Sequence, residues 1–425
     1  MKRFFFLFVV FSLGIATISL VTNGYASENN TKPIYYWMKF KAKDKFARSK
    51  IADLGVTIET VVEDSVAAIG NARNLAAAKK SGMLELDFEL TDKMLDFPQE
   101  DSNFHNYAEL VQEMQKLAAQ YPNLAKLSSI GTTREGRELY MLTISTDSDD
   151  LSRPAVFFMG GHHAREHLSV ETPLLLAEHL LKSYTSRDLR IINLLSKRTV
   201  YILPSVNPDG AEFDVATDKY RMWRKNRTKN HDNSYGVDLN RNYGYGWGGG
   251  GASTYPGDDT YRGTSAFSES ESLAVKNFFE SHNNITITLS FHTYSELILY
   301  PWGHSYNKIS NQKDFQVHKT MAETMAQWNG YTPEQSSDLY IASGDTTDWA
   351  YGQLGIISFT FELDPKMGMS EQFKPGGGFY PGQSYIYPVF QKNLEPCLYL
   401  LEYSDNPYRV IEPKPLAYGL SSPLW

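Results

Sequence analysis

The sequence predicts an α/β domain over residues 96–425, preceded by a small α+β unit over 27–95. Three observations predict it. Beyond residue 96, short apolar runs alternate with stretches of helical spacing, the pattern of strands and helices built around one sheet. The run Gly355-Ile-Ile-Ser-Phe-Thr-Phe-Glu-Leu363 is almost wholly apolar, as a strand covered on both faces must be. Before residue 96, six short segments read β-α-β-β-α-β, the order of a ferredoxin-like unit.

Taken in order, residues 1–26 carry the three parts of a secretory signal peptide: Lys2-Arg3, an apolar run over 4–21, and the small-residue exit Gly24-Tyr25-Ala26. Export with cleavage near Ala26 is expected. No other stretch approaches spanning length, so the mature protein is expected to be free of the membrane. Residues 34–40 alternate and are rich in aromatics, like a strand; 43–54 have apolar positions at helical spacing and stop at Gly55. Strands are expected at 56–62 and 65–69, an Ala-rich helix at 71–80 ended by Ser81-Gly82, and a strand at 84–90. A unit this small is expected to lean on the larger domain for its stability. After Asp96-Phe97-Pro98, the spacing predicts helices at 107–121, 170–184, 269–282, 316–329 and 391–403, and strands at 139–144, 155–160, 200–204, 285–294 and 355–363. No internal repeat or low-complexity linker divides this region.

Composition removes several classes of function. Lys and Arg number 41 against 49 Asp and Glu, a net charge of −8, and the excess acid lies beyond residue 95. Such a chain is unsuited to gripping nucleic acid, which needs clustered cations. The single cysteine, Cys397, excludes intrachain disulfides, cysteine-based zinc ribbons and iron–sulfur clusters. Its setting, Glu395-Pro-Cys-Leu-Tyr-Leu-Leu-Glu402, reads as a packed helix and makes it a buried structural thiol. Export without disulfides fits secreted bacterial enzymes, some of which use bound metal instead.

Chemistry concentrates in Met159-Gly-Gly-His162-His163-Ala-Arg165-Glu166-His167, between an expected strand and an expected helix. Open α/β sheets place their sites at such strand ends, and zinc takes imidazole and carboxylate ligands. His163 and Glu166 are three apart, but His162 with Glu166 and His163 with His167 are each one helical turn apart, so spacing leaves the register open. His292 closes the strand Leu289-Ser-Phe-His292 and is the candidate distant ligand. His105, His179, His231, His282, His304 and His318 lie in polar or helix-surface contexts and are read as solvated. Glu362, inside the apolar strand, is a candidate base whose pKa burial would raise, or a buried salt-bridge partner. Asp238 reads as a turn or supporting carboxylate. Arg224, Arg227 and Arg241 beside Asn240 suit carboxylate capture, with ordinary ion pairs as the alternative. No Gly-x-Ser-x-Gly elbow, Walker loop or Gly-x-Gly-x-x-Gly follows a strand.

Together these segments resemble the zinc carboxypeptidases of the funnelin family, its bacterial members above all. The resemblance runs from about residue 96 to 400 and rests on five blocks in order. These are His163-Ala-Arg165-Glu166; Asn207-Pro-Asp-Gly210; Trp223-Arg-Lys-Asn-Arg227 with Asp238-Leu-Asn240-Arg241; Leu289-Ser-Phe-His292-Thr-Tyr294; and Asp338-Leu-Tyr340 through Asp348-Trp349 to Phe359-Thr-Phe-Glu362. It implies a mixed central sheet flanked by helices, behind a ferredoxin-like propeptide at 27–95 that an activating protease removes. It also implies a secreted, monomeric zinc carboxypeptidase acting on peptides with a free C-terminal carboxylate. By that likeness His163, Glu166 and His292 hold zinc; Glu362 moves the proton from water to the leaving amine; and Arg224 faces the developing oxyanion. Asn240 and Arg241 hold the terminal carboxylate, Tyr340 closes over it, and Tyr294 and Arg165 contact the substrate. Thr347, with Asp345 at the edge, sets a pocket for apolar and, less well, basic end residues. Structural calcium near Ser102 and Glu109 is implied as well. Two rivals are a peptidoglycan-trimming or amide-cleaving relative with an altered carboxylate clamp, and a non-catalytic peptide-binding module lacking a ligand or the base. This chain keeps the clamp, the ligands and the base.

Overall fold

The computed structural model describes residues 34–89, 101–215, 220–366 and 377–412. The expected signal peptide and the expected boundary at 95/96 lie outside the described residues. The first segment builds β1 (Tyr35–Lys41), α1 (Lys45–Ala52), β2 (Thr57–Val62), β3 (Ser65–Asn71), α2 (Ala72–Ser81) and β4 (Leu84–Glu89), in the expected order. Asp44 starts α1 by accepting the Ala47 N–H at 2.8 Å. Asn71 and Asn74 cap α2 reciprocally, and Gly82, at φ 72°, ends it. The strands pair antiparallel in the order β2-β3-β1-β4. One face of this sheet buries Met38, Phe40, Val66 and Ala68 against Ile51 of α1 and Leu75 and Ala78 of α2. The other face, with Tyr35, Trp37, Ala67 and Ile69, packs on Tyr220, Met222, Tyr294, Phe379 and Tyr380. The small unit therefore completes its apolar burial on the larger one, as its size led one to expect.

The larger part builds α3 (Tyr107–Gln120), β5 (Ala125–Thr132), β6 (Glu138–Ile144), β7 (Ala155–Met159), α4 (Leu168–Thr185), α5 (Leu189–Leu195), β8 (Thr199–Leu203) and α6 (Pro208–Val215). It continues through α7 (Ser270–Ser281), β9 (Ile285–Thr293), β10 (Leu297–Tyr300), α8 (Gln312–Asn329), β11 (Thr332–Gln335), α9 (Ser336–Leu339), α10 (Thr346–Leu354), β12 (Ile357–Leu363) and α11 (Ile386–Tyr403). Eight strands form one mixed sheet, β11-β10-β12-β9-β7-β8-β6-β5. The central four, β12, β9, β7 and β8, are parallel, and antiparallel β10 and β6 flank them. Strand alternation decides which helices each side chain meets. Val156 and Phe158 enter a core with residues of α4, α8 and α11, whereas Phe157 and Met159 enter one with Phe278 and Phe279 of α7 and Trp349 of α10.

Three strands lie outside the expectations, for identifiable reasons. β5 is a half-exposed edge carrying serines and a glycine, and β11, Thr-Pro-Glu-Gln, is a polar edge. Edge strands need no continuous apolar run. β10 is four residues long, too short to show a period. Cys397 is buried in α11, and burial pushes its thiol pKa up. No helix among the described residues is long and apolar enough to cross a membrane.

Candidate active site

β7 has β8 on one side and β9 on the other, so the crevice at its C-terminal end is the switch point where open sheets bind ligands. Two glycines turn the chain there. A Cβ on Gly160 would lie 1.9 Å from the Ser169 carbonyl oxygen, and Gly161 takes φ +64°. Residues 162–167 are thereby folded over the strand ends. Beside them, parallel pairing sets His292 of β9 opposite Glu362 of β12.

His163, Glu166 and His292 form the one group of three or more His, Cys, Asp or Glu ligand atoms that converges among the described residues, all within 4.8 Å. Glu166 Oε1 lies 2.7 Å from His163 Nδ1, Oε2 lies 2.9 Å from His292 Nδ1, and the two Nδ1 atoms are 3.1 Å apart. Each imidazole has its far nitrogen held: His163 Nε2 by Asp238 Oδ1 at 3.2 Å, His292 Nε2 by Ser290 Oγ at 3.1 Å. With the protons on Nε2, both Nδ1 lone pairs point at one spot, an arrangement that repels unless a cation sits between them. This donor set fits zinc, with supporting partners of the kind that orient ligand histidines. Burial pushes the Glu166 carboxyl up, but the two imidazoles more than reverse it and hold it well below the carboxylate range. His167 turns away to Asp214 Oδ2, 3.1 Å distant, and is not part of the group.

The other expected residues gather around one cleft lined by His163, Glu166, Arg224, Asn240, Arg241, Tyr294, Tyr340, Asp345 and Glu362. Burial, then the charge of Glu166, lifts the Glu362 carboxyl well above its ordinary pKa, with Arg224 pulling the other way. Arg224 is buried, with Nε donating to Asp238 Oδ2 at 3.0 Å and its head 3.8 Å from Glu166. Asp238 thus orients a ligand and a guanidinium at once, and its backbone begins the turn carrying Asn240 and Arg241. Asp345 uses Oδ1 to cap α10 through the Asp348 N–H at 2.8 Å, while its buried Oδ2 has no partner among the described residues. Burial and the charge of Asp348 push it up to about 8.

Several expected residues sit differently. Thr347 is not in the cleft wall: its hydroxyl pairs at 2.6 Å with that of Thr360, which is. Arg165 is wholly buried, facing the Met222 carbonyl at 3.1 Å, Asp259 at 3.3 Å and Glu59 at 2.9 Å. Arg227 stacks on Phe213, Trp223 and Tyr235, and its Nε lies 3.7 Å from a Glu135 oxygen, the ordinary ion pair that stood as the alternative. His318, expected to be solvated, is buried, bonded to the Asp314 carbonyl and the Ser358 N–H, and burial pushes it down to about 4. For calcium, Glu109 already caps α3 with Asn106, and no second ligand cluster joins it among the described residues.

Sequence reading gave the small unit as a propeptide but named none of its residues at the cleft. Thr57, Ile58, Glu59 and Thr60 of β2 line the same cleft. Glu59 is buried against Arg165, and burial raises its carboxyl to about 7 despite the opposing charges of Arg165 and Arg224. From α1, Arg48 donates to the carbonyls of Asp338 and Leu339 at 2.6 and 2.5 Å, and Ser49 Oγ accepts the Ile341 N–H at 2.8 Å. The backbone is held on both sides of Tyr340, whose ring packs on the small unit's core. A lone glutamate in a β-branched strand carries no local signal of such a contact.

The sequence profile described as zinc carboxypeptidase matches residues 110–396. A zinc carboxypeptidase of Saccharothrix mutabilis subsp. capreolus is 35% identical over 390 residues, covering 86% of this chain and 88% of that one. Carboxypeptidase B of Bos taurus is 32% identical over 348 residues, 80% of either chain. Among solved structures, carboxypeptidase A from Helicoverpa armigera shares the fold with a TM-score of 0.70 at 24% identity, covering 89% of this chain and 98% of that one. Thrombin activatable fibrinolysis inhibitor also has a TM-score of 0.70 at 24% identity, covering 88% of this chain and all of that one.

Proposed function

This chain belongs to the zinc carboxypeptidase family and is a metallocarboxypeptidase; from that premise we propose an exported zymogen, freed by a protease acting near residue 96. The freed enzyme removes single residues from the C-termini of peptides, apolar ends first and basic ends second.

The observation that carries the reading is a convergent group of two imidazoles and a carboxylate, beside a cleft holding a second carboxylate of raised pKa and three guanidinium or amide groups. His163, Glu166 and His292 would hold zinc, which would supply a Lewis acid and a lowered pKa for water. Glu362 takes a proton from the attacking water at its carboxylate and passes it to the departing amine, so that water's hydroxyl ends on the acyl carbon. Arg224 lies beside the ligands and meets the negative charge that develops on the carbonyl oxygen. Asn240 and Arg241 receive the terminal carboxylate, which an internal peptide bond cannot offer. Tyr340 covers the end residue, Tyr294 borders the cleft, and Arg165 serves the chain upstream once Glu59 has left it. The unpartnered Asp345 oxygen supports acceptance of Lys and Arg. Leu299 in the cleft wall, with the uncharged Thr347 behind Thr360, supports acceptance of Phe and Leu. Glu59 on Arg165, and α1 on both sides of Tyr340, support the zymogen reading.

The test uses the purified active enzyme. Peptides should lose C-terminal residues one at a time, their C-terminal amides should resist, and a chelator should abolish release until zinc is restored. Equal cleavage of acid and amide would overturn the exopeptidase reading.

A further inference from the structure

Behind the cleft lies a chain of buried polar groups that the proposed chemistry does not use. His162 is wholly buried, as is Tyr243, and Ser290 and Thr346 are 2% and 1% exposed. His162 Nδ1 lies 3.3 Å from Ser290 Oγ, which lies 3.1 Å from His292 Nε2. On its other side, His162 Nε2 lies 3.0 Å from both Thr346 Oγ1 and Tyr243 Oη. Thr346 Oγ1 donates to Asn240 Oδ1 at 3.1 Å, and the Thr346 N–H donates to the same oxygen at 3.0 Å.

We propose that His162 is a positioning residue, which through Thr346 fixes the amide of Asn240 with its NH2 group toward the substrate carboxylate and through Ser290 holds the metal ligand His292. The inference rests on the assignment of Asn240 to the carboxylate clamp. With His292 Nδ1 given to the metal, one consistent set of directions follows for the links. A backbone N–H can only donate, so the Asn240 atom facing Thr346 is the oxygen and its NH2 faces away from Thr346, on a residue that lines the cleft. With His292 Nδ1 turned to the metal, its Nε2–H donates to Ser290 Oγ. The serine hydroxyl then donates to His162 Nδ1, and the His162 Nε2–H is shared by Thr346 and Tyr243. The Thr346 hydroxyl passes its own proton on to Asn240. The direction of donation is thus the same from ligand to clamp, and burial leaves no easy substitute for a missing member. An asparagine alone at a carboxylate could turn its oxygen forward, placing like partial charges together. The Thr346 N–H opposes that turn, and the Thr346 hydroxyl, aligned by His162, opposes it further.

The test compares Thr346→Val, His162→Phe, His162→Gln and Asn240→Ala in the purified zinc-loaded enzyme. Three readings are taken: kcat and KM for a C-terminal Phe peptide, calorimetric binding of an arylpropionate, and zinc retention against a chelator. Thr346→Val should raise KM and weaken the arylpropionate by roughly 10-fold, the worth of one or two buried hydrogen bonds, with kcat within about 2-fold and zinc retained. His162→Phe should add faster zinc loss. His162→Gln, which can still accept from Ser290 and donate to Thr346, should recover most of both losses. If Asn240→Ala raises KM but Thr346→Val changes neither KM nor arylpropionate binding, the positioning role is overturned while the clamp stands. Unchanged KM in Asn240→Ala would overturn the clamp assignment and the inference with it. A fall in kcat without a change in KM across the His162 variants would also overturn it.

Discussion

Glu362 and His292 are neighbours across β12 and β9, so the proposed base is delivered to the ligands by strand register. Its raised pKa comes from burial and from Glu166, and both persist if the side chain becomes an amide of the same shape. Glu362→Gln should therefore keep its zinc and bind peptide while kcat falls about 10²–10⁴-fold; turnover within a few-fold of the parent would remove Glu362 from proton transfer. At the pocket edge, burial and the charge of Asp348 push Asp345 up to about 8, which makes it largely neutral at pH 7 and ionised by pH 9. A basic end residue favours the ionised form. The ratio of kcat/KM for Arg-ended over Phe-ended peptides should rise between about pH 6.5 and 9. Asp345→Asn should flatten that rise and lower the Arg value while sparing Phe. Equal losses for both substrates would make the residue structural only.

At the scale of elements, β2 and α1 bring an acid and a backbone clamp onto the cleft. Burial in the docked state raises the Glu59 pKa to about 7, and undocking removes that cause. The docked form therefore binds protons more readily, so docking is favoured as pH falls and weakens as pH rises towards and through about 7. Residual activity of the uncut precursor on a small peptide should climb between pH 5 and 8, and Glu59→Gln should remove that slope. Precursor activity that falls over the same range would refute the linkage. The central strand β12 sets the position of Glu362 through packing. Phe359 is fully buried in it, and Phe359→Ala should cost about 3–5 kcal/mol in denaturant unfolding. A loss below about 1 kcal/mol would mean the strand is not held by that core.

At the scale of the whole molecule, one face of the small sheet is covered by residues around the cleft, including Tyr294 and Phe379, and on the proposed zymogen reading substrate access and this docking would compete for the same surface. The active enzyme should begin near Asp96, and the form starting near Ser27 should be nearly inactive on proteins. N-terminal sequencing with matched assays decides this, and full activity in a protein beginning near Ser27 would refute the zymogen reading.

Periodicity and punctuation in the chain were enough to determine the α/β class, the β-α-β-β-α-β unit and the long elements, because burial on one or both faces imposes its own pattern on the residues. The composition of 162–167, with a histidine closing one strand and a glutamate inside another, marked where the chemistry lies. The structure decided what spacing leaves degenerate. His162 and His163 both lie about one helical turn before Glu166 in the chain, and the fold over Gly160 and Gly161 sends His163 to Glu166 and His162 to Ser290 and Thr346. His318 reads as solvated and is buried, since a helix position alone does not reveal which neighbour covers it. Glu59 meets Arg165 across 106 positions, and His162 meets Thr346 across 184. Contacts of that separation exist only once the sheets have packed, and no local pattern in the sequence encodes them.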